Sequence, residues 1–76
     1  MSFKQYDAVR VTEINVPIPC AKDEFNLRLP AIGDIAYIIE IYSNPPGYEL
    51  ECSDANGITQ WLMSFAPEDV ELELVQ

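Results

Sequence analysis

At 76 residues the chain has room for one hydrophobic core and no second domain, so residues 1–76 are read as a single unit. With 49% apolar and 22% charged residues it is too apolar for a disordered tail and should fold. Thirteen acidic residues stand against four basic ones (Lys4, Arg10, Lys22 and Arg28), a net charge of −9, which sets the chain against nucleic acid and anionic membranes, because affinity for phosphate comes mainly from Lys and Arg.

Residues 8–13 alternate, with Val9 and Val11 on one face and Arg10 and Thr12 on the other, the period-two pattern of a half-buried strand. Residues 14–32 follow with Pro17, Pro19 and Pro30 and only scattered apolar side chains. They predict a long first loop, with any pairing confined to an edge and one helical turn available over residues 23–29. Gly33 and Asp34 close the loop. Residues 35–42, dense in β-branched and aromatic types, predict the second strand. Ile35, Tyr37, Ile39 and Ile41 share one of its faces and Ala36, Ile38, Glu40 and Tyr42 the other, a mixed face that a strongly curled strand would explain.

Ser43, Asn44, Pro45, Pro46 and Gly47 have the chemistry of a turn. From Tyr48, apolar Tyr48, Leu50 and Cys52 alternate with Glu49, Glu51 and Ser53, which predicts a third strand with two carboxylates facing out. Asp54 to Gly57 supply a hairpin turn, since Asn-Gly tolerates positive φ. Residues 58–65 form a fourth strand, apolar on both faces, and Ala66, Pro67, Glu68 and Asp69 a single 3₁₀ turn. Val70, Leu72 and Leu74 alternate with Glu71 and Glu73 in a last strand. Five short strands, a long first loop, two hairpin turns and a 3₁₀ turn before the last strand predict an all-β, five-stranded SH3-like barrel. No strand alternates with a long helix, which argues against a parallel α/β sheet.

The stretches Tyr6-Asp7-Ala8-Val9-Arg10-Val11-Thr12-Glu13, then Gly33-Asp34-Ile35-Ala36-Tyr37-Ile38-Ile39-Glu40-Ile41-Tyr42, then Gly47-Tyr48-Glu49-Leu50-Glu51-Cys52 with the turn of Asp54 to Gly57, occur in an order that resembles a family of short bacterial SH3-like proteins of unknown function. That family carries Tyr-Asp-x-Val and Gly-Asp-x-Gly-x-Val-Val-Glu-Val-Tyr motifs. The likeness covers about two thirds of the chain; it implies a fold and transfers no catalytic residue. Ala36 stands where the family has its second central glycine, implying a less sharply bent strand, and residues 14–32 exceed the family's short connector. A second likeness, over residues 64–71, is to ferredoxin-docking SH3-like subunits of photosynthetic complexes, whose basic surfaces this acidic chain does not match.

Cys20 and Cys52 form no Cys-x-x-Cys pair and there is no histidine, so neither a structural metal nor a cofactor is expected. The two cysteines read as reduced, buried hydrophobes of a cytoplasmic protein, since the first residues lack a signal-peptide pattern and no apolar run reaches the length of a membrane span. Asp54 and Asn56 offer oxygens to Ca²⁺, but turn formation already accounts for them.

Without histidine, a glycine-rich phosphate loop or paired cysteines, a noncatalytic reading comes first. Glu49, Glu51, Glu71 and Glu73 offer a carboxylate surface to a basic protein, and aromatic Tyr42, Tyr48 and Trp61, with Pro45 and Pro46 between strands two and three, offer a groove if they cluster outside. The default for Trp61, the single tryptophan, is to fill the barrel or seal one end of it. Acidic faces also serve simply for solubility. After the interaction module come an immunity or antitoxin inhibitor of a basic toxin and, last, a carboxylate-dependent hydrolase. A chain this small also leaves room for a homo-oligomer.

Overall fold

The structure, a computed structural model, describes residues 3–17 and 26–75. Five strands, β1 (Ala8–Ile14), β2 (Ile35–Ser43), β3 (Pro46–Ser53), β4 (Thr59–Phe65) and β5 (Val70–Leu74), form one antiparallel sheet in the order β4-β3-β2-β1-β5. A 3₁₀ turn over Pro67–Asp69 joins β4 to β5, as the sequence predicts; Pro67 starts it and the Ala66 amide donates to the Asp69 carboxylate at 3.2 Å. The strand pairing does not close on itself: β4 and β5 are its two edges. Strand β3 begins at Pro46, two residues before the expected start, and β1 runs on to Ile14. Among the described residues no helix is long and apolar enough to cross a membrane.

One face of the sheet is the core. Val9, Val11, Ala36, Ile38, Leu50, Cys52, Trp61, Phe65 and Val70 are buried there, with Phe3, Ile14, Val16, Tyr48, Met63 and Leu72 packed around them. On β2 the buried pair is Ala36 and Ile38, whereas Ile35 and Tyr37 face out. The mixed pattern of this strand is resolved by a bulge. Ile38 lies opposite Leu50 but Glu40 lies opposite Glu49, so the extra residue, Ile39, turns Glu40 and Tyr42 outward although they share Ile38's parity. Gln5 supports the bulge, its side-chain amide donating to the Ile39 carbonyl at 2.8 Å and to Glu40 at 3.2 Å.

The first loop has a structural task. Residues 26–28 of its closing portion lie along the edge of β4: the Leu27 amide donates to the Gln60 carbonyl at 2.8 Å, and the Leu62 amide to Asn26 Oδ1 at 2.7 Å. Residues 33–34 then extend the β1–β2 pairing, the Val11 amide donating to the Asp34 carbonyl at 2.9 Å and the Gly33 amide to the Val11 carbonyl at 2.7 Å. Residues 26–29 are not helical, and residues 23–25 of the expected helical turn lie outside the described residues, as does Cys20.

At the centre of this closure sits Asp34. Its carboxylate accepts from both Arg28 guanidinium nitrogens (2.9 and 3.0 Å), from the Ala31 amide (2.8 Å) and from the indole N–H of Trp61 (2.9 Å). Burial alone would push the Asp34 carboxyl up, but these donors and the positive charge of Arg28 outweigh it and hold the group below its ordinary value. Hydrogen bonding to Asp34 correspondingly holds Arg28 above its own.

Candidate functional site

Reading the ladder across the outer face shows where charge collects. The β2 bulge places Glu40 directly opposite Glu49, and a bulge in β1 places Glu13 directly opposite Glu71. Like charges in directly opposed positions destabilise a sheet. Both guanidinium groups are already engaged, Arg10 with Glu73 at 2.7 Å and Arg28 with Asp34. Glu49 is steadied instead by hydroxyls, with Tyr42 (3.0 Å) and Ser64 both donating to one of its oxygens. That arrangement spreads the charge without cancelling it. The bond to Glu49, followed by desolvation and the glutamate charge, raises the Tyr42 phenol above its ordinary pKa.

Beside Glu49 the surface opens into an apolar groove of about 310 Å³, lined by Tyr42, Pro45, Pro46, Gly47, Phe65 and Ala66. It lies at the β2–β3 turn, where the Asn44–Pro45 peptide is cis. Gly47 sets how closely the turn approaches β4, because a Cβ there would fall 2.9 Å from the Phe65 carbonyl oxygen. Gly47→Ala should therefore cost about 1–3 kcal/mol through backbone displacement, the usual range for overpacking. Urea unfolding followed by circular dichroism reads this, and an unchanged midpoint would contradict the packing.

The residues that the sequence proposed for partner binding fall into three groups. Tyr42 and Glu49 meet at the groove, and Glu51 lies further along the same outer face, accepting from the Thr59 hydroxyl at 2.7 Å. Glu71 and Glu73 lie on β5 at the other end of the sheet order. Tyr48 and Trp61 turn inward. Tyr48 is half-buried with its ring edge-on to Phe3 at 6.0 Å, and Trp61 is fully buried, edge-on to Phe65 at 6.3 Å. A surface cluster of Tyr42, Tyr48 and Trp61 therefore does not form, and Trp61 is in the core, its default placement from sequence: it occupies an inward position on β4, and Asp34 satisfies its one polar atom.

Glu40, Glu13 and the Phe65–Ala66 wall of the groove were not singled out from sequence, the two glutamates because their pairing depends on bulged registers and the wall because it depends on which strand the β2–β3 turn packs against. Cys52 is a buried free thiol; burial first, then the Asp34 charge, push its pKa up against the opposing Arg28, the reverse of the shift that activates a nucleophilic cysteine. Asp54 is occupied by its own turn, accepting from the Asn56 and Ile58 amides at 2.9 Å each. Among the described residues no group of three or more His, Cys, Asp or Glu is placed to hold a metal ion. Comparison with known proteins finds no similarity to the chain: no family model, no curated protein and no solved structure matches it.

Proposed function

We propose that this chain is a noncatalytic SH3-like interaction module of the cytoplasm that captures a basic protein surface with its acidic outer face. The strand order, the 3₁₀ turn before β5 and the motif likeness of residues 6–13, 33–42 and 47–57 support the SH3-like reading. In that reading the curled sheet and residues 26–34 together complete a small barrel. The observation that carries the partner's chemistry is the pair of directly opposed glutamates, Glu40 with Glu49 and Glu13 with Glu71, on a chain of net charge −9. A cationic group bound beside either pair relieves its repulsion, and the field of the whole surface speeds the partner's arrival.

The test is capture from native lysate at low salt by the wild type and by a variant with Glu40, Glu49, Glu51 and Glu71 changed to Gln, with the bound proteins identified. Proteins of net positive charge should bind the wild type and be lost from the variant. Capture of neutral or acidic proteins, or equal capture by both, would overturn the reading.

A further inference from the structure

The two edges of the sheet are treated differently. Residues 26–28 cover β4, but among the described residues β5 pairs with β1 alone and nothing hydrogen-bonds to its outer side. The alternation of an antiparallel ladder identifies which groups are free. The Val75 amide donates to the Ala8 carbonyl, so Val75 and Glu73 direct their backbone groups at β1, and Leu72 and Leu74 direct theirs away. Beside that open row is a hollow of about 610 Å³ lined by Phe3, Leu72, Glu73 and Leu74. Backbone donors and acceptors next to an apolar hollow are what an added strand uses, the main chain supplying affinity and alternate side chains specificity.

Resting on the basic-partner reading, we propose that β5 accepts an extended segment of the partner, added as an antiparallel sixth strand, in which Lys or Arg alternates with apolar residues. The side chains of β5 dictate that alternation. Leu72 and Leu74 adjoin the hollow and call for apolar neighbours, while Glu71 and Glu73 call for cations. Glu71 gains most, since it faces Glu13, whereas Glu73 already holds Arg10. A second copy of this chain is the wrong occupant. In a two-fold antiparallel pairing about Leu72, Glu71 of one copy faces Glu73 of the other, and a shift of two residues sets Glu71 against itself or Glu73 against itself. Every such register opposes like charges. The acidic residues of β5 thus guard the edge against self-pairing, as charges on natural edge strands do, while leaving it open to a basic strand.

The test uses a synthetic six-residue peptide alternating Lys and Val, titrated at low salt into the ¹⁵N-labelled full chain, with two isomers of the peptide N-methylated either on the Lys amides or on the Val amides. An added strand presents only alternate amides to β5. One isomer should therefore bind like the parent, and the other should weaken roughly tenfold or more through loss of its inter-strand bonds. The parent should perturb the amides of Leu72 and Leu74 most, and Glu71→Gln should weaken it roughly two- to fivefold. Equal binding of the two isomers, or perturbation centred on Tyr42 and Gly47, overturns strand addition while leaving the basic-partner reading in place. Absence of peptide binding from a chain that still captures basic proteins in a charge-dependent way has the same meaning. Loss of both overturns the underlying reading as well.

Discussion

Replacing Trp61 by Ala should remove a large share of the stability of the fold. Trp61 is the largest of the fully buried side chains and lies among Cys52, Phe65 and the Asp34 carboxylate. Large aromatic-to-alanine changes in cores cost about 3–5 kcal/mol, because transfer free energy and a residual cavity add. A domain of this size holds only about 4–11 kcal/mol in total at the usual 0.05–0.15 kcal/mol per residue. The change also strips Asp34 of a donor. Trp61→Phe retains most of the ring packing and loses that hydrogen bond to a carboxylate, so its cost should be smaller, about 1.5–3 kcal/mol. Urea unfolding monitored by far-ultraviolet circular dichroism separates the two variants. An alanine variant within about 0.5 kcal/mol of wild type would contradict the placement of Trp61, since only surface substitutions are usually that mild.

The second large effect is expected at Asp34. Asn keeps the shape but loses the charge and turns an amide donor toward a site where every neighbour is itself a donor: Arg28, the Ala31 amide and Trp61. Hydrogen bonds to a charged group are worth about 1.5–3 kcal/mol, so Asp34→Asn should cost at least that range. Because the folded-state pKa lies below the ordinary 3.8, the unfolded chain takes up the proton first as the pH falls. The contribution of Asp34 is thus complete above the ordinary value and disappears as the pH drops through the lower folded value. The stability gap between wild type and Asp34→Asn should be constant near neutrality and narrow in that acid window; a gap that widens in acid would reverse the assignment. The Leu27 and Leu62 amides, whose partners lie across the contact between residues 26–28 and β4, should exchange faster in the variant at neutral pH.

The strands were legible because period-two alternation and turn chemistry are local properties. Asn56 and Gly57 mark the hairpin before β4, where Gly57 has φ of 81°, and Pro67 marks the turn before β5. What local patterns did not show were consequences of register and long-range contact. The apolar side chains of residues 35–42 fall on both faces, and only the bulge at Ile39 explains why Ile38 is core while Glu40 and Tyr42 face out. Asp34 reads in sequence as a turn residue after Gly33; its bond to Trp61 spans 27 positions and has no local signature. The site divides in the same way. Glu49, Glu51, Glu71 and Glu73 are outward by alternation alone, but the partners that load Glu49 and Glu71 with like charge come from bulged pairings. The sequence pattern predicts a barrel, but whether a sheet closes depends on how its two edges are met, which no local pattern records: the strand pairing stays open, and among the described residues, 26–28 meet the β4 edge and none meets that of β5.

The central claim, electrostatic capture of a cationic protein, is tested most directly by the association rate of the chain with a captured basic partner as a function of salt. Steered association falls steeply once the Debye length shortens to about 8–10 Å at 0.1–0.15 M salt. The wild-type rate should fall by tenfold or more between low and moderate salt on that scale, and the variant with Glu40, Glu49, Glu51 and Glu71 changed to Gln should lose much of that dependence. A wild-type rate that does not change with salt would contradict the account.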